Sequence, residues 1–214
     1  MIMPARTAFA PPPAPVRAQP TWEIAELFPA QGQWSEGDYL ALGTNRLVEF
    51  SHGTIEVLPM PSIAHQFIVL FLYEVLKEYV KRRKLGSVLV APAKVRLWRD
   101  KHREPDVFLL LSKSARRIHE QYVEGADLVM EVVSGGSQDR DRDLIEKRQE
   151  YAQAGIPEYW IVDPETETVT VLHLEGDEYS EHGVFQPGQT ATSRLLPGLS
   201  VAVDEVFEAG RRHR

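Results

Sequence analysis

Apolar runs of strand length alternate with two longer segments of helical period, and their order sets the fold expectation. "SEGDYLALG" reads as a short helix capped by Ser35. "RLVEF" and "TIEVLP" read as two strands turned through Ser51, His52 and Gly53. A long helix follows, over about 62 to 84, with Ser62 as N-cap behind Pro61. Its first half is apolar nearly all round, which predicts burial in the core or in a subunit interface. "SVLVAP", "KVRLW" and "PDVFLLL" continue as strands. "DLVMEVVS" is a strand with two apolar faces, as expected in the middle of a covered sheet. A helix over about 139 to 154 comes next, stopped by Gly155 and Pro157. "EYWIVD" and "TVTVLHL" then form a hairpin around Pro164 to Glu167. This order describes an α/β (α+β) sheet domain with helices on its faces.

The ends differ from this core. Residues 1–33 read as a flexible tail, because Pro11, Pro12, Pro13 and Pro15 favour extended chain, although Trp22, Ile24, Leu27 and Phe28 offer docking groups. The domain is expected over 34–207, and 208–214 read as a frayed basic end. The longest apolar run, "FIVLFLY", is far too short to span a bilayer, so no membrane association is expected.

Composition narrows the classes. The 214 residues suit one domain with a sizeable core. The balance of 24 basic against 31 acidic residues gives a net charge of −7, which argues against a broad basic surface made for tight nonspecific DNA binding. With no cysteine, disulfides and thiolate metal sites are impossible, and the absence fits a reducing cytoplasm.

The chemistry lies where the pattern breaks. Glu131 sits at the centre of its apolar strand, where an ionised carboxylate is costly unless a cation, a metal or hydrogen bonds meet it. Asp106 opens the other acid-bearing apolar strand, behind Pro105. If those strands are neighbours, both acids reach one point. Two carboxylates, waters and a substrate phosphate suit Mg²⁺ (or Mn²⁺), and the Val132 carbonyl offers a further ligand. On the following helix, Leu144, Ile145, Arg148, Tyr151 and Ala152 share one sector at about 100° per residue. Lys147 lies at its edge, able to lay its stem on the core and send its ammonium sideways. Such a cluster suits metal-dependent phosphodiester hydrolysis, with the lysine orienting water or stabilising developing charge.

The same residues carry a resemblance. "PDV", "EVVS" and "DLIEKRQEYAQAGIPEYWIVDP", with "VEFSHGTIEVLPMPSIAH" upstream, resemble the Uma-two family over about 34 to 206. These are restriction-endonuclease-like proteins of the PD-(D/E)xK nuclease superfamily. The resemblance implies a restriction-endonuclease-like mixed sheet flanked by helices, an endonuclease activity that uses Mg²⁺ or Mn²⁺, and nucleic acid, DNA above all, as partner. It matches Asp106 and Glu131 to metal-binding acids and Lys147 to the catalytic lysine. It also matches Glu49 to an assisting acid in the first hairpin and His65 to the histidine at the start of the long helix. Tyr151 and Asp163 match further motif positions. Two departures stand out. The superfamily's lysine lies two residues after the second acid, where this chain has Val133, and Gly135 and Gly136 replace the usual proline and serine.

Plainer readings stand beside these. Glu131 and Lys147 also suit a buried ion pair in an inactive fold used for binding or assembly. A hydrolase of a smaller phosphate ester is a further alternative. Glu49 reads as a solvent-side strand residue, His65 as a hydrogen-bonding residue near a helix start, Tyr151 as a core aromatic and Asp163 as a turn former. Arg99, Lys101 and Arg103 in "RDKHR" precede Asp106 closely enough to meet substrate phosphates. A homodimer is expected, since cutting two strands favours paired sites and the long apolar helix offers surface.

Overall fold

A computed structural model of the chain describes residues 27–44, 46–135 and 142–211. Pro11, Pro12, Pro13, Pro15, Trp22 and Ile24 of the N-terminal tail, Gly136, the expected helix onset at 139–141 and the last three residues lie outside the described residues. The chain divides into two compact units, Met1–Ala30 and Gln31–Arg214. Of the first, residues 27–30 are described, and they form neither helix nor strand. All that follows concerns the second.

Helix α1 spans Glu36–Ala41 and starts with a reciprocal capping box between Ser35 and Asp38, which satisfies otherwise orphaned N–H groups. Strands β1 (Val48–Ser51) and β2 (Thr54–Val57) form the expected hairpin, turned through His52 and Gly53, both at positive φ. Helix α2 (Ile63–Arg83) has Ser62 as N-cap, its hydroxyl accepting the His65 N–H. It ends on Lys84 in the left-handed conformation. Strands β3 (Gly86–Val90), β4 (Val95–Trp98), β5 (Lys101–Arg103), β6 (Val107–Leu111), β7 (Val123–Glu124) and β8 (Leu128–Val132) follow. A π-helical turn, Arg142–Glu146, leads into α3 (Lys147–Gln153). The chain closes with β9 (Glu158–Asp163), β10 (Thr168–Glu175), β11 (Glu178–Phe185), a small pair β12 (Thr190–Thr192) and β13 (Ser200–Ala202), and α4 (Val203–Arg211). Helix α4 therefore continues through residues read as a frayed end, and Val206, Phe207 and Gly210 of it are buried.

The strands make two main mixed sheets. One runs β2-β1-β5-β4-β7 and the other β11-β10-β9-β8-β6-β3. In the larger sheet, β6 and β8 are antiparallel neighbours, while β8 and β9 are parallel and joined through α3. Side chains alternate across a strand, so each face collects its own core. Val107, Leu109, Leu128, Met130 and Val132 pack with α2 and α4. Phe108, Leu110, Val129 and Val133 pack with Tyr151, Ala152 and Tyr159 on the other face. Burial on both faces explains why these strands read as continuous apolar runs. Helix α2 buries one face, including Leu72 and Leu76, while Ile63 and Leu70 stay exposed. Much of the apolar surface that suggested a subunit interface is thus used within the chain.

Two expectations need correction. The basic residues of "RDKHR" expected to be open to substrate phosphates are not all so: Lys101–Arg103 is strand β5, with all three residues buried. The sector assigned to the face of α3 is also partly displaced, since Ile145 is 54% exposed and Arg148 is exposed. The π-helical turn widens the first turn and shifts the phase on which the sector was drawn. Tyr151 and Ala152 of that sector are buried as expected, and Arg142 and Lys147, outside it, are buried as well.

Candidate active site

Pairing in the larger sheet brings the two acids together. Val107 pairs with Met130 across β6 and β8. The same antiparallel register places Asp106 opposite Glu131, and partners across strands share a face. That face carries Phe108 and Val129 and is covered by α3. Helix α3 then presents Lys147 and Tyr151, four residues apart and so on neighbouring turns.

Glu131 and Lys147 each expose 3% of their surface. The Lys147 ammonium lies 2.9 Å from Glu131 Oε1, and the Tyr151 hydroxyl donates to the same oxygen at 2.6 Å. Burial and the adjacent Glu131 charge raise the Tyr151 pKa well above its ordinary value, so Tyr151 stays a protonated donor. Asp106 accepts the Val132 N–H through Oδ2 at 2.8 Å, which ties it to the end of β8. His65, from the first turn of α2, puts Nε2 2.9 Å from the Val132 carbonyl oxygen and 3.3 Å from Asp106 Oδ2. Burial lowers the His65 pKa, but the Asp106 hydrogen bond and charge outweigh it, and the net shift is upward. His65, Asp106, Glu131, Val132 and Lys147 line a cavity of about 30 Å³ together with Glu104, Arg142 and Ser134. A water needs roughly 10–15 Å³ of such space, so the cavity takes about two or three water-sized occupants.

Glu104 and Arg142 have no counterpart among the residues singled out from the sequence. Glu104 lies two residues before Asp106, which on extended chain means the same side, so period-two reading of "REPD" would have found it. It accepts the Val48 N–H at 3.1 Å, and burial together with the Glu49 charge raises its pKa to about 7. Arg142 reaches the cavity because the π-helical turn stacks it over Lys147 at five-residue spacing. No α-helical sector would pair those two. Its guanidinium also meets Glu56 of β2 at 3.0 Å.

Other expected residues sit elsewhere. Glu49 is not on the solvent side: it is 2% exposed, bonded to the Arg103 guanidinium and to the Glu104 N–H. Burial raises its pKa, but the Lys147 and Arg103 charges prevail and hold it below the ordinary carboxylate value. Glu49 does not line the Asp106–Glu131 cavity. Nor do the three basic residues expected at substrate phosphates. Arg103 pairs through Nε and Nη2 with Glu150 at 2.7 and 2.9 Å, and Lys101 meets Glu150 at 2.5 Å. Both line a separate cavity of about 280 Å³ with Glu49, Glu56 and Glu146. The Arg99 side chain is 91% exposed beside Asp100. Asp163 shapes the β9–β10 turn, accepting the Glu165 N–H at 2.9 Å. Glu158 shows what a purely structural buried acid looks like here. It accepts from Trp160, Ser193, Arg194 and Leu195 and pins the loop before β13.

A model of the Uma2 family, described as "Putative restriction endonuclease", matches residues 36–204. The chain belongs to the Uma2 family. The fold agrees: the crystal structure of a "putative nuclease belonging to DUF820" from Anabaena variabilis ATCC 29413 superposes with a TM-score of 0.67 at 18% identity, covering 83% of this chain and 99% of that one. No curated protein matches the chain. The mixed α/β architecture is shared with that protein. Within this Uma2 protein, Val133 packs with the core face under α3, and the cation beside Glu131 comes from α3 as Lys147. Among the described residues, no group of three or more His, Cys, Asp or Glu side chains is gathered as for a side-chain metal cage, and no helix is long and apolar enough to cross a membrane.

Proposed function

We propose that this Uma2 protein is a divalent-metal-dependent endonuclease that hydrolyses nucleic-acid phosphodiesters, DNA first among them, at the cavity between Asp106, Glu131 and Lys147. The observation that carries the reading is the meeting of two acids from neighbouring strands with a buried lysine on one small cavity. The donor chemistry fits a hard cation. Mg²⁺ keeps several waters and needs few protein oxygens, so Asp106, Glu131 and the Val132 carbonyl form a sufficient protein share. When bound, such a metal lowers the pKa of water and offsets charge on a phosphoryl oxygen.

The chain's own groups do the rest. Lys147, held by Glu131, orients water or stabilises the developing phosphoryl charge. Tyr151 fixes the Glu131 carboxylate, and His65 fixes Asp106 against the end of β8. Arg142 supplies a second cation for the substrate phosphate and is held by Glu56 of the hairpin. Glu49 acts as a positioning residue, holding Arg103 and lending its charge to Lys147.

One observation favours a second reading. Glu131 Oε1 accepts from both Lys147 and Tyr151, an arrangement that also suits a static ion pair in a nuclease-fold binding module. Labelled single- and double-stranded DNA and RNA, and bis-p-nitrophenyl phosphate, are incubated with Mg²⁺, Mn²⁺ or EDTA. The nuclease reading expects metal-dependent cleavage that falls about 10²–10³-fold in Glu131→Gln and Lys147→Met. Cleavage of the small diester alone would leave a smaller phosphate ester as substrate. No turnover of any of them by wild type would support the binding module.

A further inference from the structure

Beside the Asp106–Glu131 cavity lies a second, larger one of about 430 Å³, and the two share Pro59, Pro61, His65 and Ser134 as their common wall. Its size falls within the range of about 300–1,000 Å³ that suits small organic groups. Met60, Ala64, Ile68, Val133 and Pro164 make most of the remaining lining apolar. Among the described residues no lysine or arginine lines it, and Glu165 adds an acid. The cations lie in the neighbouring cavity, where Lys147 and Arg142 sit.

This division of charge matches one part of a nucleotide to each cavity. A phosphate belongs beside Lys147 and Arg142. The group attached to that phosphate then enters walls that, among the described residues, offer mostly apolar surface and no lysine or arginine, which suits a base better than a second phosphate. A base inside a duplex is stacked and paired, and extracting it costs its stacking and pairing. A base in a single strand is already available to an apolar surface. The net charge of −7 points the same way, because tight duplex binding draws on many phosphate contacts. We propose that the larger cavity receives an unpaired nucleobase next to the scissile phosphate, which makes single-stranded nucleic acid the substrate class. This rests on the nuclease reading of the adjoining site.

The test separates the two claims. Fluorescence anisotropy measures binding of a labelled 15-nucleotide DNA, single-stranded and as its duplex, with Ca²⁺ present, and gels follow cleavage of both in Mg²⁺. Two variants alter the cavity: Met60→Asp charges its rim, and Ala64→Leu narrows it. Met60 is 65% exposed, so its substitution leaves the fold intact, and thermal melting checks this. The single strand is expected to bind about tenfold more tightly than the duplex, and each variant to lose about tenfold of that binding while duplex binding stays constant. Equal or tighter duplex binding, variants that bind like wild type, or no binding of either DNA overturns the inference. If the single-strand preference and its sensitivity to both variants hold but Mg²⁺ and Mn²⁺ support no cleavage, the base cavity stands and the nuclease reading falls. If duplex is cleaved as fast as single strand and both variants are neutral, the nuclease reading stands and the base cavity falls.

Discussion

At the scale of single residues, the account turns on how a buried charge is met. Lys147→Met leaves the Glu131 carboxylate buried without its lysine while the neutral Tyr151 hydroxyl still donates to it, and breaking such a pair costs about 3–5 kcal/mol. Urea denaturation of Lys147→Met should show that loss, and adding Glu131→Gln should recover most of it, since the double variant buries no charge there. A double variant as unstable as the single one would mean that the ion pair is not what the site is balanced on. Glu104 gives a pH-dependent counterpart. Its folded pKa is raised from the ordinary carboxylate value to about 7, so the folded state favours the protonated form. Its contribution is fully present below the unfolded pKa and is lost as pH rises through about 7. In EDTA, Glu104→Gln should therefore melt about 2–4 °C higher than wild type at pH 8 and show little difference at pH 4.5. Glu131 was legible in the sequence because it breaks an apolar run, Asp106 because it opens a second apolar strand, and Lys147 because it lies at the edge of a helical sector. Glu104 was legible in principle by period two. Arg142 was not, because nothing local announces a π-helical turn.

At the scale of elements, the hairpin β1–β2, helix α2 and the paired strands β6 and β8 follow directly from periodicity and caps. Strand β5 does not, since Lys101, His102 and Arg103 look like surface until their carboxylate partners on other elements are known. Tertiary pairing overrides composition there, and it also buries Glu49 on a strand that reads as half-exposed. The π-helical turn before α3 has a stated job: it brings Arg142 and Lys147 to one cavity. Deleting Ile145, an exposed residue of that turn, should restore a narrower helical turn and rotate Arg142 away. Affinity for the oligonucleotide measured by anisotropy should then fall about tenfold, with a shallower salt dependence. Unchanged affinity and salt slope would mean that the wide turn is incidental to the site.

At the scale of the whole molecule, a sheet covered on both faces forces any charge inside it to be answered from the covering layers. One layer, α3, answers Glu131 with Lys147 and Tyr151, and the other, α2, answers Asp106 with His65. The cavity lies where the two layers meet the ends of β6 and β8, and that placement follows from topology. The apolar runs alone foretold a covered sheet, but not which strands would be neighbours. The central claim is that this junction binds a hard divalent cation through Asp106 and Glu131. Crystals soaked in Mn²⁺ and measured at the manganese absorption edge test it most directly. The account predicts an anomalous peak within bonding distance of Asp106 and Glu131, absent in Glu131→Gln crystals. A soaked wild-type crystal with no peak there, in which Glu131 keeps Lys147 and Tyr151 as its partners, would contradict it.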